Sequence, residues 1–350
     1  MVEQGDKRMD QNAEILKNAI SGSLKIIEQD REKEIISRRF GLNGTKETLE
    51  QIGEMLSITR ERVRQLEKAI LIRLQISAED NQIPELAAAE KILIRNLTEM
   101  GRVARISDLA NKVYGREATA SEKTGLYFIA TFSKSLSVIE ENDRYNAAVG
   151  ITEYGDSKKI REKVDQIVKT IKENKKPMTI DELDSKLNYE HPDYIKAMAS
   201  ISKALATLNG AWGLVKWPSV NPKNIRDKIF VILETKKEPM HFSEIAKEIS
   251  ESNFKRKNVT IQAIHNELIK DSRFVLIGRG IYALSNWGYK KGTISEIIKS
   301  ILEKSDKPLS REDVVKQVLK VRKVKETTIL LNLQNKNLFK KVDKNSYTLA

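Results

Sequence analysis

Apolar residues along this chain recur mainly every three or four positions, and only in short stretches every second position, so helices dominate the expectation. From Asn12 to Gln29 the apolar set is Ile15, Leu16, Ala19, Ile20, Leu24 and Ile27. It predicts one helix or two, broken near Ser21-Gly22-Ser23, after a polar, frayed start at residues 1 to 12. Leu49, Ile52 and Leu56 form a stripe on a short helix, and Val63, Leu66 and Ile70 form one on the next. Between them Ser57-Ile58-Thr59 reads as a tight turn, with the Thr59 hydroxyl placed to accept from a free amide of the second helix. Glu61 in the first turn suits the positive end of that helix. Arg60, Glu61, Arg64, Gln65 and Lys68 then share its polar face. Ser77 to Gln82 reads as a linker, and Pro84 suits the first turn of a further helix.

Beyond the linker the pattern repeats. Four segments share one order: a helix, a short extended piece, a second helix capped by Ser or Thr, a third helix, then two alternating strands around a polar turn. Leading helices are expected over Leu86 to Met100, Ile160 to Glu173, Ile225 to Thr235 and Ile294 to Glu303. Pro177, Pro239 and Pro308 recur at intervals of 62 and 69 residues, one small domain each. In the first segment Ser137-Val138-Ile139 and Arg144-Tyr145-Asn146 are the expected hairpin strands. This is the order of a winged helix. The expected fold is therefore mainly α, a helix-turn-helix domain followed by a tandem array of winged-helix units with small β wings. The divisions are 1-30, 31-76, 84-150, 158-220, 223-289 and 291-350.

Charge sharpens this picture. The formal net charge is +13, which favours a polyanionic partner, most often nucleic acid. No apolar run approaches the ~18 residues of a membrane span, and the N-terminus lacks an apolar signal core. Cysteine is absent, which removes disulfides, thiolate metal sites and thiol nucleophiles and fits a reducing cytoplasm. His191, His241 and His265 lack metal-ligand spacing; His241 reads as a helix cap or core contact. There is no phosphate-loop motif and no nucleophile elbow. Pro192-Asp193 with Glu234-Thr235-Lys236 satisfies a PD…ExK nuclease pattern formally, but Glu234 falls on an expected helix, whereas that chemistry needs strands. Trp212, Trp217 and Trp287 fall at wings, where a large ring packs a small core. No cofactor, no small-molecule substrate, no membrane and no enzymatic activity are expected.

The polar face of the helix after Thr59 has groove-reading chemistry. Arg can fork onto guanine, Gln onto adenine, and Glu can accept from the cytosine amine. Recognition helices read mainly with their N-terminal residues, where Arg60, Glu61, Arg64 and Gln65 lie. Such a face is often only solvated surface, but the detail here is specific. Thr48-Leu49-Glu50-Gln51-Ile52-Gly53 and Ile58-Thr59-Arg60-Glu61-Arg62-Val63-Arg64-Gln65-Leu66-Glu67, with Arg38-Arg39-Phe40-Gly41 upstream, resemble region 4 of the sigma-70 family of bacterial RNA polymerase sigma factors. The resemblance implies that Arg60, Glu61 and Gln65 face the bases of a −35-like promoter element, and that Thr48, Leu49, Arg62 and Arg64 lie near phosphates or bases. It also implies docking on polymerase. Only about thirty residues precede the motif, and the family's aromatic-rich strand-melting domain has no counterpart there or downstream. The expectation is DNA reading without promoter opening.

Pro239-Met240-His241-Phe242-Ser243-Glu244-Ile245-Ala246, a helix over Val259 to Lys270, and Arg279-Gly280-Ile281-Tyr282-Ala283-Leu284 resemble the HARE-type helix-turn-helix domain. That domain also occurs in the polymerase delta subunit and in some restriction and chromatin proteins. Before the third helices, Lys255, Arg256 and Lys257 in one unit and Lys320 to Thr328 in another form basic lead-ins that suit phosphates. Arg279 and Lys344 are wing candidates. The expected backbone set is thus Thr48, Leu49, Thr59, Arg62, Lys68, Lys255, Arg256, Lys257 and Arg279. The sum is a bacterial, cytoplasmic transcription factor on promoter-like double-stranded DNA. The alternative is a delta-like accessory subunit that docks on RNA polymerase.

Overall fold

The computed structural model describes residues 2–189, 191–305, 307–343 and 345–350, with side chains from Met9 onward. Lys344 lies outside the described residues. The chain divides into two compact units, Met1–Lys216 and Trp217–Ala350.

The first unit opens with α1 (Val2–Ile26), which is continuous where a frayed start and a break were expected. Leu16, Ala19, Ser23 and, just past the helix, Ile27 are buried at helical spacing. Ser23 satisfies its hydroxyl within the helix by donating to the Ala19 carbonyl at 2.7 Å. A Cβ on Gly22 would stand 3.1 Å from the Pro84 ring, so this glycine marks close packing and not a turn. α1 packs on α5 (Leu86–Glu99), α6 (Ile106–Tyr114) and α7 (Ala120–Phe132) and therefore covers the first winged unit more than the helix-turn-helix. The helix-turn-helix itself is α2 (Asp30–Phe40), α3 (Leu49–Leu56) and α4 (Arg60–Glu79). α4 runs through most of the expected linker, and Pro84 precedes α5 in a turn instead of starting it.

Each winged unit keeps the expected order. The first pairs β1 (Val103–Arg105), β2 (Leu136–Ile139) and β3 (Ala148–Ile151) around α5 to α7. The second has α8 (Ser157–Asn174), β4 (Met178–Thr179), α9 (Ile180–Leu187), α10 (Pro192–Ile201), β5 (Leu205–Leu208) and β6 (Ala211–Leu214). In the other compact unit come α11 (Ile225–Lys236), β7 (Met240–His241), α12 (Phe242–Glu251), α13 (Ile261–Lys270), β8 (Phe274–Gly278) and β9 (Ile281–Leu284). They are followed by α14 (Ile294–Glu303), β10 (Leu309–Ser310), α15 (Arg311–Val321), α16 (Glu326–Leu333), β11 (Phe339–Lys341) and β12 (Ser346–Leu349). All four sheets are antiparallel and share one order, with the last strand in the middle: β1-β3-β2, β4-β6-β5, β7-β9-β8 and β10-β12-β11. The repeat is therefore structural.

One hairpin differs from expectation. β2 pairs with Ala148–Ile151, and not with Arg144-Tyr145-Asn146. That stretch instead meets the chain leaving α10. Tyr145 bridges Ser202, the Asn146 amide donates to the Ile201 carbonyl at 2.8 Å, and the Lys203 amide donates to the Arg144 carbonyl at 2.9 Å. Extended backbone needs a partner for its polar groups, and the second winged unit supplies it.

A single core links α1, α2, α4 and the first winged unit, from Leu16 through Phe40, Ile70 and Leu74 to Leu97, Phe128, Phe132 and Val149. Phe40 and Phe132 each stack at an angle on Phe128, with ring centroids 5.0 Å apart. α4 thus has two ends with different jobs. Its C-terminal half is anchored in this core by Ile70 and Leu74, and its N-terminal half is carried outward. Among the wing tryptophans, Trp212 is buried and Trp287 packs on Val275, Ile277 and Ala283.

Candidate nucleic-acid interface

The outward half of α4 is held by a small separate core. Ile35 of α2, Ile52 of α3 and Val63 of α4 are fully buried, with Leu49, Leu56, Ile58 and Leu66 packed around them. The turn is tight. A Cβ on Gly53 would lie 2.7 Å from the Ile58 carbonyl oxygen, so only glycine lets α3 meet the start of α4 this closely. Ser57 adopts the left-handed conformation that ends α3, and Arg31 reaches from α2 to donate to the Leu56 carbonyl at 2.8 Å. Arg39 of α2 pairs with Glu67 of α4 at 3.1 Å, and Arg38 with Glu47 at 2.6 Å. Arg31, Arg39 and Gly53 fix the angle between the helices without facing a ligand, a role that sequence spacing alone does not reveal.

Both helix starts are capped by threonine. The Thr48 hydroxyl accepts from the Gln51 amide at 3.3 Å while the Gln51 side chain accepts from the Thr48 amide at 2.9 Å, a reciprocal capping box. Thr59 accepts from the Arg62 amide at 3.2 Å, as its position in the sequence predicts. Thr48 and Thr59 stand exposed, whereas the Leu49 side chain turns into the core and leaves only its main chain for an external phosphate.

Arg60, Glu61, Arg62, Arg64, Gln65 and Lys68 are spread over the outer side of α4, with Arg60, Glu61, Arg62, Arg64 and Gln65 fully open to solvent, so the helix brings the expected base readers onto one surface. They are not equally free. Glu61 accepts two hydrogen bonds from the Arg64 guanidinium, at 2.8 and 2.6 Å, and one from the Gln65 amide at 3.3 Å. The hydrogen bonds and charge of Arg64 hold the Glu61 carboxyl below its usual range. Three of the four expected base readers are therefore pre-arranged in one network. Among the described residues, the side chains of Arg60, Arg62 and Lys68 have no hydrogen-bond or ion-pair partner. With these side chains α4 can present a fork donor, an amide and a carboxylate side by side.

The third helices of the winged units differ. α7 and α10 are largely walled in: α7 buries Leu126, Phe128, Ile129 and Phe132, and α10 buries Tyr194, Ile195, Met198 and Ile201. α13 exposes Ile261, Gln262, Asn266 and Ile269, an apolar and amide face. α16 exposes Glu326, Thr327 and Leu331.

Lys255, Arg256 and Lys257 are exposed but sit in the loop before α13, which begins at Ile261 and is capped by Thr260. Arg256 has a left-handed backbone, and its carbonyl accepts from the buried Lys228 ammonium at 2.7 Å. Burial first, and the Arg256 charge second, push the Lys228 pKa down. Arg279 is exposed at the wing turn, beside Gly280, whose left-handed backbone and approach to His241 exclude a side chain. His241 caps α12, with Nδ1 accepting from the Ser243 amide at 3.3 Å.

The lead-in to α16 is corrected by the structure. Arg322 does not face outward: its guanidinium donates to the Leu276 and Gly292 carbonyls, and the Lys323 amide donates to the Ile277 carbonyl at 3.0 Å. This segment ties the fourth winged unit to the edge strand β8 of the third. The nuclease-like residues fall on helices, with Pro192-Asp193 opening α10 and Glu234 to Lys236 closing α11.

Two stretches of the chain match known families. Residues 29–75 match the family model for sigma-70, region 4. Residues 225–287 match the HARE-HTH model, a helix-turn-helix domain described from ASXL and restriction endonuclease proteins. Over 61 residues the chain is 39% identical to RNA polymerase sigma factor sigB of Arabidopsis thaliana, covering 17% of this chain and 11% of that protein. Over 73 residues it is 36% identical to RNA polymerase sigma factor SigA of Listeria monocytogenes, covering 21% and 19%. Over 57 residues it is 39% identical to RNA polymerase sigma factor SigA4 of Synechococcus elongatus, covering 16% and 18%. The chain therefore spans less than a fifth of the length of these relatives. The matches coincide with α2 to α4 and with α11 to β9. The chain is a helix-turn-helix protein with two domains of the DNA-binding kind, joined to further winged units that share their topology. No described helix is long and apolar enough to cross a membrane.

Proposed function

We infer that the chain is a sequence-specific DNA-binding transcription factor that reads a −35-like promoter element in double-stranded DNA through the sigma region 4-like α4. The observation that carries this reading is the exposed constellation Arg60, Glu61, Arg64 and Gln65 on the first turns of a helix whose rear is anchored in the core. Arg60 supplies the free guanidinium for guanine, Gln65 the amide for adenine, and Glu61 an acceptor for a cytosine amine. Thr48, Thr59, Arg62 and Lys68 stand where phosphates flank such a helix and fix its register without reading sequence. No catalytic step and no cofactor enters this reading. A cytoplasmic, bacterial setting fits the relatives that are named sigma factors and the absence of cysteine.

A second reading is a polymerase-docking accessory subunit. It is favoured by Ile72 and Ile76, exposed by 47% and 54% on the C-terminal half of α4, an apolar pair that duplex reading does not use. Titration of the full chain against a TTGACA-containing duplex and a scrambled one, alongside Arg60→Ala/Gln65→Ala, separates the two. Direct readout predicts at least a ~10-fold preference for the first duplex that the double variant erases, since each good bidentate contact is worth about 1–3 kcal/mol. Equal binding of both duplexes, with no effect of the variant, refutes direct readout. Capture by purified polymerase then tests the docking role.

A further inference from the structure

The net positive charge of the chain has to face something, and in the fourth winged unit it does not face outward along the third helix. α16 exposes Glu326, Thr327 and Leu331, and Arg322 is spent on carbonyls of the neighbouring unit. The charge gathers instead in a groove of about 440 Å³ between α14 and α15. Lys304 comes from the end of α14, Lys316 and Lys320 from α15, and Lys290 from the segment before α14, over a floor that includes Ile301 and Val321. Asp313 is the one acid in the lining, and its carboxylate already accepts from the Ser310 hydroxyl at 2.6 Å.

Among the described residues, none of the four lysines forms an ion pair; the Lys290 ammonium donates to the Ser300 hydroxyl at 3.3 Å. Elsewhere on α14, by contrast, Lys299 lies 3.9 Å from Glu303. Lys316 and Lys320 stand one turn apart on the same face, where like charges repel. A folded chain keeps such an uncompensated cluster at a cost, which an anion in the groove would relieve. The charge is also spread. The two α15 lysines are offset by about 5.4 Å along the helix axis, and the other two leave different elements. That distribution suits a run of phosphates better than a single one.

We propose that this groove is a second DNA-contact site, which holds phosphodiester backbone without reading sequence. It takes the place that a recognition helix would have in this unit. Lysines placed this way act as point charges on phosphates: they raise affinity and its salt dependence but add no discrimination between bases. The site does not depend on whether α4 reads a promoter element.

The test uses the full chain with the exposed pair changed, Lys316→Gln/Lys320→Gln. The matched control, Lys175→Gln/Lys176→Gln, removes the same charge from exposed lysines at the end of α8. Binding to a scrambled duplex is measured across a salt series, in the wild-type background and with Arg60→Ala/Gln65→Ala added. Expected is a roughly 5–10-fold loss of affinity at low salt and a salt slope shallower by about 2, near 0.9 per phosphate contact removed. The loss should be the same in both backgrounds, with no change in preference between duplexes. Affinity and slope equal to those of the control overturn the proposal. It is equally overturned if the variant keeps duplex binding but loses binding of inorganic tripolyphosphate, because the ligand would then be a small free polyanion.

Discussion

α4 and α10 hold the same place in their units, the last helix of a three-helix set, yet their surfaces are opposite. α4 turns Arg60, Glu61, Arg64 and Gln65 to solvent. α10 buries six of its ten residues against α8, α9 and the strand β1 of the preceding unit. A shared topology therefore does not carry a shared role. The third helix becomes a reading surface only where neighbouring units leave it uncovered and its outer positions carry fork donors and amides. In α4 the anchoring residues Ile70 and Leu74 lie well past the readers, so one helix serves both as core element and as probe. In α10 the core-forming positions wrap the helix and leave no such division. α13 lies between these extremes, open but lined by Ile261, Gln262, Asn266 and Ile269.

The contrast can be broken at its base. Ile52→Ala empties the small core that sets α4 against α3 and should cost about 2–5 kcal/mol locally, on the scale of aliphatic truncations. Hydrogen exchange of the full chain should rise in residues 49–66 and stay unchanged in α13, and preference for the promoter-like duplex should vanish. Unchanged preference after that loss would separate duplex binding from the geometry of α4.

The packed side can be tested by overfilling it. Gly101 has a left-handed backbone, and a Cβ there would stand 2.5 Å from the Asp193 carbonyl oxygen at the start of α10. Gly101→Ala should therefore destabilise the junction of the first two winged units by about 1–3 kcal/mol, with faster exchange in α10. Duplex preference should stay intact, because α10 does not face DNA. If it falls, α10 and α4 are coupled, and the two helices do not act as separate surfaces.

The finest test concerns the network on α4. The Arg64 hydrogen bonds depress the Glu61 pKa, so the pair is complete above the ordinary carboxylate value and is lost only as pH falls through the lower folded value. Duplex preference should thus be flat between pH 7 and pH 5 as far as Glu61 is concerned. Glu61→Gln removes the charge at every pH and frees Arg64. Binding to a scrambled duplex should rise, about 2- to 3-fold, while preference for the promoter-like duplex narrows. A pH-dependent preference in the wild type that Glu61→Gln abolishes would place the titration of Glu61 inside the working range.

Local signals in the sequence set a large share of the fold and most of the candidate interface. Helix starts at Thr48, Thr59, Thr179 and Ser310 are legible because a short hydroxyl three residues ahead of a free amide is a local arrangement. The four-fold repeat is legible because each unit alternates helical and strand periods in one order. The exposed face of α4 is legible because apolar spacing fixes which side is buried. Tertiary packing decided the rest. Ser21-Gly22-Ser23 looks like a break, but it is a close approach to Pro84 with a self-satisfied serine. Arg144-Tyr145-Asn146 looks like a wing strand, but its backbone finds partners beyond α10. Arg322 looks like part of a phosphate-binding lead-in, but two carbonyls claim it. The lysines at 290, 304, 316 and 320 form a groove only after folding. Periodicity reports which side of an element is buried; which neighbour covers it, and which charges converge, depends on contacts between residues far apart in the chain.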